Sequence, residues 1–143
     1  DLIEVLFSGN KGSNFSPIFK VVSGGELSRI LLSIKSILSK HLNLPTMIFD
    51  EIDTGISGEM SNAMANLMLK MSKKMQIISI THLPQIAAKG QHHFNVYKHE
   101  NLGITNTRVK KLNNEQRVEE IAKMLSGDKI SSSALIHAKE LLN

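Results

Sequence analysis

Apolar and polar positions change rhythm several times along this chain. Leu2 to Ser8 (LIEVLFS) alternates and contains β-formers, which predicts a strand, and the polar stretch Gly9 to Pro17 predicts a loop. From Leu27 the rhythm becomes helical: Leu27, Ile30, Leu31, Ile34 and Leu38 fall at i, i+3, i+4, i+7 and i+11. A helix from about Glu26 to Lys40 with one buried face follows. "TMIFD" after Pro45 is a continuous apolar run ending in acid, the pattern of a strand buried on both faces in a parallel sheet. Met60, Ala63, Met64, Leu67 and Met71 then recur at helical spacing, and "QIISIT" is a second buried-strand candidate. Strand, helix and strand predict a βαβ unit with a right-handed crossover. Past Thr81, "HHFNVYKHE" and "ITNTRVKKL" flank Asn101-Leu102-Gly103 and predict an antiparallel hairpin. Two short helices, Glu115 to Leu125 and Ser131 to Leu142, complete the pattern, with no internal repeat and no low-complexity segment.

Composition narrows this α/β reading only moderately. A chain of 143 residues that is 41% hydrophobic can form a real core and reads as one domain, or a large piece of one. Its net charge of +4 permits anionic partners without demanding them, because the basic residues cluster only in pairs such as Lys73-Lys74 and Lys110-Lys111. The absence of cysteine excludes a disulfide scaffold and a thiolate zinc site, and fits a reducing compartment. No apolar run reaches the length of about 18 residues that a membrane span needs, and no signal peptide opens the chain. A cytoplasmic protein is expected. The methionine stripe is a core feature rather than a cofactor box.

Three segments carry candidate chemistry. In "VVSGGELSR", Ser23 and Glu26 form an S-x-x-E capping box, which leaves Gly24 and Gly25 unexplained. Two adjacent glycines at a helix mouth suggest close approach to the backbone, and the bare amides there suit an anion. In "MIFDEIDTGISG", Asp50 and Glu51 stand at the carboxyl end of a buried strand, where open α/β sheets bind ligands; adjacent acids there match a Walker B arrangement. The second strand ends in "THLPQ", so His82 should emerge beside them. His92 and His93 are adjacent on a predicted strand, point to opposite faces and do not suit a shared metal. Arg29 either faces a partner or is a solvated helix charge, and Lys98, Arg108, Lys110 and Lys111 on the hairpin either touch DNA phosphates or are solvated.

Together "SGGELSR", "IFDEIDTGISG" and "ITHLPQIAAKG" resemble the signature motif, the Walker B with D-loop, and the switch-histidine segment of SMC-like, ABC-type ATPases. Within that class the wording is similar to the RecN family of DNA repair proteins over nearly the whole chain, through "RVEEIAKMLSG" and "HAKELL". The resemblance implies that residues 1–143 are the C-terminal lobe of a P-loop NTPase head: a parallel sheet core, flanking helices and a C-terminal antiparallel hairpin. It implies that Ser23, Gly24, Gly25 and Glu26 form the signature that meets the γ-phosphate of ATP held by the opposite head. Asp50 would serve Mg²⁺ through water, Glu51 would be the general base, Asp53 would belong to a D-loop crossing the dimer interface, and His82 would sense the γ-phosphate.

No G-x-x-x-x-G-K-[ST] loop occurs in these residues. In the family that loop lies in an N-terminal lobe beyond a long coiled coil, so the Walker A lobe and a second head are expected partners, with ATP and Mg²⁺ as cofactors. The resemblance further implies DNA as a ligand, action at double-strand breaks, and a place at the nucleoid. This chain alone is expected to be inactive. Two alternatives stay open at this point: a non-catalytic interaction lobe, and a head fragment of another SMC-like or ABC ATPase.

Overall fold

The computed structural model describes residues 3–9, 11–101 and 104–143. Its elements run β1 (Leu6–Phe7), β2 (Ser16–Pro17), α1 (Ile18–Val21), α2 (Gly24–His41), β3 (Thr46–Asp50), α3 (Glu59–Ser72) and β4 (Gln76–Ile80). The second half continues with α4 (Pro84–Lys89), β5 (Phe94–Asn101), β6 (Ile104–Lys111), α5 (Asn114–Ser126) and α6 (Ser132–Leu142). The described strands form three two-stranded sheets: antiparallel β1–β2, parallel β3–β4 and antiparallel β5–β6. The expected parallel core is therefore one strand pair joined through α3, in register from Thr46 opposite Gln76 to Asp50 opposite Ile80.

That pair is covered on one face. Met47 and Phe49 point into a core with Leu32, Ile56, Met64, Ala65, Met68, Met71, Met75 and Ile86. Phe49 is fully buried, and Lys35 of α2 lies over its ring at 5.3 Å from the centroid, a cation–π contact. On the opposite face Ile48 is 58% exposed, Ile78 44% and Ile80 52%. Burial of both strands on both faces, expected from their apolar runs, is thus corrected: no described element covers the second face.

The same correction applies to two helices. The α2 stripe of Leu31, Ile34 and Leu38 is exposed, and the chain's own core takes Leu32 instead. In α3 the buried residues are Ser61, Met64, Ala65, Met68 and Met71, whereas Met60 and Ala63 face out. The stripe is rotated because α3 packs against both β4 and α4. The methionine core is otherwise as expected.

The first strand shrinks to Leu6–Phe7, pairing with Ser16–Pro17 at the end of the expected loop; Leu2 lies outside the described residues. The hairpin pairs Phe94 with Lys111 through Asn101 with Ile104. Leu102 and Gly103 of its expected turn lie outside the described residues. Its basic residues Lys98, Arg108, Lys110 and Lys111 are exposed. A second core, built on Ala88, Ile121, Ala122, Ala134 and Ala138, joins α4, α5 and α6. Helix α4 links the two cores, with Ile86 in one and Ala88 in the other. No described helix is long and apolar enough to cross a membrane.

Candidate functional site

Strand β3 ends at Asp50, and the chain turns there into the loop 51–58. The turn puts Glu51 at φ 47°, the left-handed region that costs a non-glycine residue about 1–2 kcal/mol. Backbone bonds hold it: Glu51 N donates to Ile80 O at 3.1 Å, tying the turn to the end of β4. Its carbonyl accepts from Thr54 Oγ1 at 2.9 Å. Strain maintained by surrounding structure is a feature of functional loops. The Asp50 and Glu51 side chains are exposed and make no hydrogen bond or ion pair among the described residues. Asp50 lies on the same face of the strand pair as Ile48, the uncovered one.

Asp53 behaves oppositely. It is buried, and its Oδ2 accepts the Thr81 hydroxyl proton and, at 3.3 Å, the His82 backbone N–H. Thr81 Oγ1 in turn accepts from Leu83 N at 3.0 Å. His82 Nδ1 stands 3.6 Å from Asp53 Oδ1, and the imidazole is largely exposed. Asp53 therefore turns inward, toward the end of β4, while Thr54 and Gly55 form the outer surface of the loop.

The α2 mouth is the third component. Ser23 is the N-cap of a complete capping box, so the helix begins at Gly24, two residues before the expected start. Glu26 Oε2 accepts from Ser23 N at 2.9 Å and from Ser23 Oγ at 2.8 Å. Those two bonds from Ser23, backbone first, with help from Arg29, hold the Glu26 carboxyl below its ordinary range. The two glycines differ. A Cβ on Gly25 would lie 3.2 Å from the Gly55 carbonyl oxygen, so loop 51–58 packs against the backbone there. A Cβ on Gly24 would meet nothing within 4 Å.

The loop 51–58 thus touches all three segments: it begins at Asp50, holds Thr81 and His82 through Asp53, and meets Gly25 through Gly55. Sequence reasoning missed Thr81 and Thr54, whose hydroxyls fasten this loop; Thr54 stands beside Asp53 in the sequence, which was the available signal, whereas Thr81 had none. His92 and His93 precede β5, and no group of three or more His, Asp or Glu that could hold a metal occurs among the described residues. His93 is half-buried, and that burial is the main cause that lowers its pKa.

No family model matches the chain. It is 44% identical over 142 residues to the DNA repair protein RecN of Vibrio cholerae, covering 99% of this chain and 26% of that protein. It is likewise 44% identical to RecN of Bacillus subtilis, at 99% and 25% coverage. The chain spans about a quarter of the length of these curated relatives and matches their C-terminal part. Among solved structures, the Smc head domain with a coiled coil and joint from Pyrococcus yayanosii superposes with TM-score 0.65 at 23% identity, over 80% of this chain and 21% of that one. A chain from work on ATP-driven dimerization and DNA-stimulated activation of SMC ATPases gives 0.60 at 22% identity, over 82% and 70%. The fold is that of part of an SMC head domain.

Proposed function

We propose that this chain, related to the RecN proteins over nearly its whole length, is the C-terminal lobe of an ATP-hydrolysing head that acts in DNA double-strand break repair and recombination. The observation that carries the proposal is that one loop, 51–58, gathers the strand-end acids, His82 and the α2 mouth that the RecN resemblance assigns to ATP chemistry. An N-terminal Walker A lobe of the same protein, a second head and DNA are the partners, in the cytoplasm at the nucleoid.

The residues present fit a shared Mg-ATP site. The exposed carboxylates of Asp50 and Glu51 are uncommitted, and Gly24 leaves free space in front of the α2 amides. Asp50 would hold Mg²⁺ through water, with remaining donors from phosphate and the partner lobe, since the described residues contain no complete metal cluster. Bound Mg²⁺ neutralises phosphate charge. Glu51 takes a proton from the attacking water as general base. His82 presents its exposed imidazole toward the γ-phosphate. Ser23, Gly24 and Gly25 face the γ-phosphate held by the opposite head, the glycines offering amide hydrogens, while Glu26, which takes the Ser23 amide and hydroxyl protons, keeps the helix mouth in shape. The loop carrying Asp53 crosses the interface through Thr54 and Gly55.

Titration calorimetry of this chain with Mg-ATP, beside hydrolysis and ATP-dependent association of the full-length protein, tests the proposal. The expected result is weak or absent binding by the chain and ATP-driven association of the full-length protein. Micromolar binding by the isolated chain would overturn the split-head reading, and a full-length protein without ATPase activity would favour an interaction lobe.

A further inference from the structure

Asp53 is the only buried carboxylate among the described residues. Burying an ionised carboxylate costs several kcal/mol unless its lone pairs are used. Oδ2 is fully engaged by Thr81 Oγ1 and His82 N, which would suffice to staple the loop to β4. Oδ1 is different: it is buried and has no hydrogen-bond partner. His82 Nδ1 stands 3.6 Å from it, beyond hydrogen-bond range. An acceptor buried beside an imidazole just out of reach is suited to capture it after a small rotation of the ring, and hydrogen bonds at reaction centres often tighten only with ligand bound.

We propose that Asp53 is a positioning residue for His82: Oδ1 accepts the Nδ1 proton of the imidazolium form, which fixes the ring so that its Nε2–H points at the nucleotide phosphate. This rests on the ATPase reading above. A carboxylate at one ring nitrogen determines what the other nitrogen does. The loop that carries Glu51 then also sets the histidine, so the two groups move as a unit.

The test is steady-state Mg-ATP hydrolysis by the full-length protein, with duplex DNA present, for Asp53→Asn, His82→Ala, the double variant and Thr81→Val. Asn keeps an oxygen for Thr81 and the His82 amide but turns an NH₂ toward Nδ1, which cannot accept the Nδ1 proton and so removes the anchor of the ring. Asp53→Asn is expected to lower kcat about 10- to 100-fold, the usual cost of removing a partner that orients a histidine, with KM little changed. The double variant should be no slower than His82→Ala, because the two act through one group. Thr81→Val removes a bond to Oδ2 and leaves Oδ1 in place, so it should retain most of kcat. Multiplicative losses in the double variant, or an unchanged kcat in Asp53→Asn, would overturn the proposal while leaving the ATPase reading intact. His82→Ala hydrolysing at the wild-type rate would overturn the role of His82 and the proposal with it, whereas a wild-type protein that does not hydrolyse Mg-ATP would overturn the reading itself. If Asp53→Asn does not fold, Thr81→Val decides: a loss equal to that of His82→Ala makes Asp53 a staple and overturns the proposal.

Discussion

Gly25 sits directly beneath the Gly55 carbonyl, close enough that a Cβ on Gly25 would approach the oxygen to 3.2 Å, whereas its neighbour Gly24 faces open space. The pair that looks uniform in sequence therefore serves two purposes, one inside the fold and one outside it. Gly25→Ala should push loop 51–58 outward by a few tenths of an ångström and lower the thermal midpoint. Gly24→Ala is unobstructed and should raise stability by about 0.4–1 kcal/mol through the unfolded chain. In the full-length protein both should weaken ATP-dependent association, Gly24→Ala despite its greater stability. Calorimetric melting alongside sizing chromatography in ATP checks both signs. A stabilised Gly24→Ala that associates normally would remove Gly24 from the phosphate site.

The capping box gives a pH-dependent prediction. The Glu26 carboxyl is held below its ordinary value of 4.5 by its bonds to Ser23, so the ionised form is favoured in the folded state. A group depressed in this way contributes stability that is complete above the unfolded value and is lost as pH falls through the folded one. The difference in melting temperature between wild type and Glu26→Gln should be steady near neutrality and shrink below about pH 4.5. Ser23→Ala, which removes the N-cap, should cost about 1 kcal/mol at neutral pH. A Glu26→Gln difference that does not change with pH would mean the carboxylate charge plays no part in the cap.

How much of this was legible in sequence depends on whether the deciding contact is local. Helices α5 and α6 and the β5–β6 hairpin follow from periodicity and neighbouring cap residues, and their ranges agree with expectation within a residue or two. The strand ends carrying Asp50 and His82 were legible because acid or polar residues stop an apolar run. The buried faces were less so. Leu31, Ile34 and Leu38 do form an apolar stripe, but periodicity records that a face wants cover and not which molecule supplies it. Helix α4 is too short for a periodic signal. Asp53 is buried and takes its hydroxyl partner from Thr81, 28 positions away, and no local pattern reports that pairing.

The open sheet face follows the same logic and is testable on the chain alone. Ile48 and Ile78 face each other across the β3–β4 pair, and Ile80 continues the patch toward Asp50. Contiguous exposed apolar surface marks an interaction site or an aggregation hazard. Replacing all three with Thr keeps β-branched side chains in the strands. Because none of the three is buried, stability should change by no more than about 0.5 kcal/mol per site. Binding of a hydrophobic dye and self-association should both fall. A large loss of stability would show that these isoleucines are buried in solution.

Glu51 separates catalysis from architecture most directly. Its side chain is exposed and uncommitted, and its left-handed backbone is held by Ile80 O and Thr54, contacts that do not involve the carboxylate. Glu51→Gln should therefore fold with an unchanged melting temperature. If Glu51 is the base, hydrolysis by the full-length protein should fall about 10² to 10⁴-fold, the usual cost of losing one. ATP binding should survive, so uncleaved ATP would hold two heads together and the ATP-dependent dimer should last longer. Asp50→Asn differs in kind: it should weaken Mg²⁺ binding and abolish the dimer along with the activity. Phosphate release and light-scattering mass in ATP, measured for both variants, distinguish these outcomes. A Glu51→Gln protein that hydrolyses ATP near the wild-type rate would remove Glu51 as base, and with it the assignment of the β3 end as a Walker B site.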